Sequence, residues 1–68
     1  MFLKNLVKLR KQKGWSQEKL AVESSISYNT IIKIERGGIK NPKIETVIKL
    51  AKALSVSIDD LAGINKSF

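Results

Sequence analysis

One phrase occurs three times in this chain: an apolar residue, a serine, three further residues, and a second apolar residue. It reads WSQEKL at 15–20, ISYNTI at 26–31 and VSIDDL at 56–61. The serine hydroxyl can accept from the free backbone N–H groups of a helix's first turn. The apolar pairs, Trp15 with Leu20, Ile26 with Ile31 and Val56 with Leu61, are spaced as hydrophobic staples across that start. Ser16, Ser27 and Ser57 therefore each open a helix. The first two openings are so close that a helix from about Gln17 to Ser24 leaves only a three- or four-residue turn before the next. Two short helices in tight succession leave no room for a strand between them.

The remaining stretches agree with helices. FLKNLVKLRKQK has helical apolar spacing, with Phe2, Leu6 and Leu9 as its inward stripe and Gly14 as its end. The third helix runs to Arg36, before Gly37-Gly38. A loop, GGIKNP, leads past Pro42 into KIETVIKLAKALS, where Ile44, Val47, Ile48, Ala51 and Leu54 form a core-facing stripe. In the last helix Asp60 stands in capping-box position to Ser57. The expected fold is all-α, a compact bundle of five helices in one domain, 1–68, with its core in 2–62 and a tail at 63–68. A chain this small buries only about 60% of its extended surface, so few core positions can be spared.

Composition narrows the function. Thirteen Lys and Arg against six Asp and Glu give a net charge of +7, and eleven of the thirteen are Lys. Such a balance attracts polyanions: nucleic acid, an acidic partner or an anionic membrane surface. A solvated surface would account for most of the lysines equally well. The chain has no Cys and no His, which removes disulfides, thiol catalysis, Cys/His metal sites and histidine acid–base chemistry. Asp59-Asp60 is the sole acidic pair, and at a helix start it serves the cap and the dipole. No enzyme activity, cofactor or metal is expected. No apolar run approaches the roughly 18 residues of a membrane span, and no signal peptide is visible, so a cytoplasmic location is expected.

Two Ser-capped helices joined by a tight turn in a basic chain resemble the helix-turn-helix of the Cro and phage-repressor (Xre) family. The resemblance extends from Leu6 to about Leu61 through LRKQKGWSQEKLA, IKIERG, NPKIETVIKLAKAL and VSIDDL. It implies the five-helix fold of lambda-repressor-like DNA-binding domains, with the motif at helices two and three. It also implies a small residue at Ala21, where the two helices cross, and packing positions at Ile31 and Ile34. Arg10 and Glu35 fall at a pair that in the family makes a buried or half-buried salt bridge, a structural role. The chain departs from the family at Ser25 and Ser55, where Gly is usual because the backbone takes φ > 0, and at Ser24, where an apolar residue is commoner.

The resemblance also gives Ile32 a purpose. With Ile31 and Ile34 turned to the core, the opposite arc of the third helix carries Tyr28, Asn29, Ile32 and Lys33, which in this family enter the major groove of DNA. An isoleucine there can press on a thymine methyl group, Asn29 can bond adenine N6 and N7, and Lys33 can reach guanine O6/N7 or a phosphate. Tyr28 can meet a methyl group or donate to a phosphate. The alternative for Ile32 is packing on the GGIKNP loop or on a second protomer.

Backbone contacts are expected from Gln17, Ser27, Lys40, Asn41 and Lys43. Gln17, at the start of helix two, is implied to bond a phosphate and brace the start of the recognition helix; a plain polar first-turn residue is the competing reading. Lys11, Lys13, Lys49 and Lys52 read as solvated faces. The leading function is a sequence-specific regulator of repressor type on double-stranded DNA, bound as a homodimer to an inverted-repeat operator. Its dimer interface is expected near Val56, Ile58, Ile64 and Phe68. A protein-interaction role, as an antitoxin or adaptor with its own protein partner, is the alternative. A membrane-active role for FLKNLVKLRKQKGW is opposed by the need for its apolar side in the core.

Overall fold

The computed structural model describes residues 3–64. Five helices follow in order: α1 (Leu6–Gln12), α2 (Gln17–Ser24), α3 (Tyr28–Glu35), α4 (Ile44–Leu54) and α5 (Ile58–Ala62), and no strand occurs among the described residues.

All three serine caps form. Ser16, Ser27 and Ser57 have extended backbones, and their hydroxyls accept from the N–H groups of Lys19 (3.0 Å), Thr30 (3.2 Å) and Asp60 (3.0 Å). Asp60 completes a capping box by accepting from the Ser57 N–H at 3.4 Å. The staple partners Trp15, Ile26 and Val56 are half-buried against the core, whereas Leu20, Ile31 and Leu61 are fully inside it. Each cap therefore sets both where a helix begins and at what angle the chain enters it.

α1 is shorter than its apolar spacing predicts. It starts at Leu6 because the preceding residues are committed to α5: the Asn5 N–H donates to the Leu61 carbonyl (3.1 Å) and Asn5 Nδ2 to the Asp60 carbonyl (2.9 Å). Leu3 and Leu6 are buried and Leu9 packs on the core, whereas Phe2 lies outside the described residues. Gly14, at φ +71°, ends the turn after the helix.

Ser25 and Ser55 adopt the left-handed conformation that the usual Gly would take, at φ 58° and 57°. Each lets the chain reverse with the next N–H bonded back into the helix: Ile26 to the Ala21 carbonyl (3.1 Å) and Val56 to that of Ala51 (3.0 Å). Buried Ser24 is satisfied by its own helix, donating to the Leu20 carbonyl at 2.6 Å.

The stripe on α4 needs correction. Val47, Ala51 and Leu54 are buried as expected, but Ile44 is 56% and Ile48 37% exposed, and the face is completed by Leu50 at 0%. Apolar residues cover more than half the circumference of this helix, so spacing alone leaves the centre of its buried face undetermined. Packing against α2 on one side and α5 on the other selects the Leu50 side.

Candidate nucleic-acid interface

α3 divides sharply. Ile31 is 0% and Ile34 6% exposed, and both belong to the core. Ala21, buried on α2, keeps the two helices close. Tyr28, Asn29 and Lys33 are exposed, and Ile32 is half-buried at the rim of the exposed arc. Arg36 belongs to the same arc and was missed by the sequence reading, which treated it as the end of the helix. Its backbone stays right-handed helical, its N–H bonds to the Ile32 carbonyl at 2.9 Å, and its side chain is exposed. Seven residues separate it from Asn29, a net rotation of only about 20° on a helix. That spacing was the available signal. Tyr28 lines an open depression beside α2 together with Val22, itself 73% exposed.

The loop after α3 is tied back to that helix at the Ile34 carbonyl, which accepts from the Gly37 N–H at 3.2 Å, and at the Lys33 carbonyl. Gly37 turns the chain at φ +81°, and the N–H groups of Gly38 (2.8 Å) and Ile39 (3.2 Å) both donate to the Lys33 carbonyl. Ile39 packs on the core, leaving Lys40, Asn41 and Lys43 exposed on the run into α4. Lys11, Lys13, Lys49 and Lys52 are exposed too, with Lys13 held 5.2 Å over the Trp15 ring. Ser27 is exposed, and its hydroxyl both caps α3 and lies 2.8 Å from Thr30 Oγ1.

Beneath this surface Arg10 and Glu35 form a bidentate pair, Nε to Oε2 at 2.7 Å and Nη2 to Oε1 at 3.0 Å. Their side chains are 11% and 5% exposed. Arg10 also donates from Nη1 to the Trp15 carbonyl at 2.8 Å. Gln17 joins the group, donating from Nε2 to Glu35 Oε1 at 2.9 Å. The brace from Gln17 thus goes to the last residue of α3, not to its start. The start is held by Ser27 instead, because the first turn of α2 sits beside the end of α3.

Comparison with known proteins agrees with this geometry. The helix-turn-helix family model matches residues 6–61. The chain is 42% identical over 52 residues to the HTH-type transcriptional regulator SlrR of Bacillus subtilis, covering 76% of this chain and 34% of SlrR. It is 40% identical over 53 residues to the uncharacterized HTH-type transcriptional regulator y4dJ of Sinorhizobium fredii, covering 78% of this chain and 68% of y4dJ. A chain of the solved SinR protein/SinI protein complex superposes with a TM-score of 0.84 at 29% identity, over 97% of this chain and 62% of that one. The chain thus spans about a third of SlrR's length. No helix among the described residues is long and apolar enough to cross a membrane. With its five helices, its α2–α3 packing and these relatives, the chain belongs to the Cro-like (Xre) helix-turn-helix family of DNA-binding transcriptional regulators.

Proposed function

We propose that this chain is a sequence-specific reader of double-stranded DNA, of repressor type, that lays α3 in the major groove. The observation that carries the reading is the division of α3, with Ile31 and Ile34 in the core and Asn29, Lys33 and Arg36 on the outward arc. Asn29 and Lys33 meet base edges, Ile32 and Tyr28 meet thymine methyl groups, and Arg36 takes guanine or a phosphate. Gln17, Ser27, Lys40, Asn41 and Lys43 flank the arc as backbone contacts. The protein acts as a two-fold dimer on inverted half-sites about 34 Å apart, joined around Val56, Ile58 and the tail. Val56 and Ile58 are half-buried in their own protomer, so of the named positions Ile64 is the more exposed, whereas Phe68 lies outside the described residues. Sedimentation giving a strict monomer both free and on DNA would reject the dimer.

The direct test is binding-site selection from randomised duplexes at near-physiological salt, with wild type and Ile32→Ala. An inverted-repeat motif whose thymine preference weakens in the variant supports the reading. Binding without any enriched motif, lost steeply as salt rises, rejects it and leaves only charge attraction. A protein-partner role, as antitoxin or adaptor, would then lead. It is favoured by one finding: the matched solved chain comes from a complex of two different proteins.

A further inference from the structure

The family resemblance implies a phosphate contact at Gln17 and a structural pair in Arg10–Glu35; the structure joins the three side chains in one hydrogen-bonded unit. The Glu35 carboxylate receives three N–H groups, from Arg10 Nε, Arg10 Nη2 and Gln17 Nε2, at 2.7, 3.0 and 2.9 Å. A carboxylate only accepts, whereas a glutamine amide has one donor end and one acceptor end. Turned the other way, Gln17 would set its oxygen against a carboxylate oxygen. The pairing therefore holds Gln17 with its NH₂ group toward Glu35.

That NH₂ group carries two diverging N–H bonds, and Glu35 takes one. Gln17 is the first residue of α2, half-exposed between exposed Ser16 and Glu18. An unheld glutamine at this place would present its oxygen, which a phosphate repels, as readily as its nitrogen. It would also lose rotamer freedom on binding, an entropic cost that long side chains carry most heavily. Glu35 is too buried to meet DNA itself, and the bidentate Arg10 offsets its charge, so the carboxylate can sit under a phosphate-facing surface.

We propose that Glu35 is a positioning residue for DNA binding, fixing the Gln17 amide so that its second N–H donates to a backbone phosphate. The inference rests on the DNA-reading function proposed above.

The experiment replaces each phosphate of the selected operator in turn with an uncharged methylphosphonate and measures affinity by fluorescence anisotropy. Wild type is expected to lose about tenfold at one phosphate beside the α2 start, as for a hydrogen bond to a charged acceptor. Gln17→Ala and Glu35→Gln should both bind the unmodified operator more weakly and lose their extra sensitivity at that phosphate. A Glu35→Gln protein that binds weakly yet keeps the full tenfold sensitivity overturns the positioning role, because a merely structural Glu35 lowers all affinities alike. Should Glu35→Gln not fold, wild type decides through its Gln17 side-chain amide resonances. One of the two protons shifting on operator addition, and the other holding still, supports the inference; both averaging together or both staying unmoved overturns it. Wild type that binds no operator at all overturns the DNA reading along with it.

Discussion

Ser25 and Ser55 carry a backbone cost that glycine would relieve. Both sit at C-terminal helix turns in the left-handed region, at φ 58° and 57°, with exposed side chains. For a residue with a Cβ that region costs about 1–2 kcal/mol. Replacing it by Gly removes this cost but widens the unfolded ensemble, which takes back about 0.4–1 kcal/mol. The net expectation is a gain of about 0.5–1 kcal/mol for Ser25→Gly and for Ser55→Gly. They lie in separate turns with no shared hydrogen-bond partner, so the double variant should gain about 1–2 kcal/mol by additivity. In a domain of this size each kcal/mol moves Tm by about 4–8 °C, which places the double variant roughly 4–16 °C above wild type. Thermal melts followed by far-ultraviolet circular dichroism, with urea titration as a second route, measure this directly. Ser25→Ala and Ser55→Ala are the controls and should be near neutral, since alanine keeps the Cβ. A glycine variant at or below the alanine variant's stability would refute the reasoning, because the αL cost would then not be the governing term.

Three other outcomes follow from the same structure. Arg10→Met alone should destabilise by about 3–5 kcal/mol in urea unfolding, since it leaves the Glu35 carboxylate buried without its main partner, and Arg10→Met with Glu35→Leu should recover much of that loss. Leu50→Ala should cost about 2–5 kcal/mol while Ile44→Ala stays within about 0.5 kcal/mol; equal losses in thermal melts would contradict the observed face of α4. Lys40→Gln and Lys43→Gln should each reduce the slope of log affinity against log salt by about 0.9, and an unchanged slope would remove that lysine from the phosphate contacts.

How much was legible differed by the range of the interaction. The Ser16, Ser27 and Ser57 caps were readable because a cap is settled within one helical turn, by residues three or four apart. α2 came out with the boundaries the sequence implied, and the turn at Ser25 was marked by resemblance because the left-handed conformation is itself local. The start of α1 was less legible. Asn5 is tied to Asp60 and Leu61, residues more than fifty positions away, and no local pattern announces that. Arg36 was missed for a different reason. The Gly37-Gly38 pair that follows marks a helix end, yet the residue before it keeps helical backbone and stays on the outward arc.

By itself the sequence determined that the chain forms short helices, where three of them begin, and that two are joined by a tight turn, an arrangement that resembles a helix-turn-helix. Those features depend on neighbours in the chain, and neighbours can be read in order. Tertiary structure alone decided which side of α4 faces inward, since its apolar residues leave several rotations open and packing, chiefly against α2 and α5, chooses among them. It also decided the partner of Gln17. A glutamine at the start of a helix is indistinguishable in sequence from a solvated one, and it acquires a direction only when folding brings Glu35, already paired with Arg10, to within 2.9 Å of its amide.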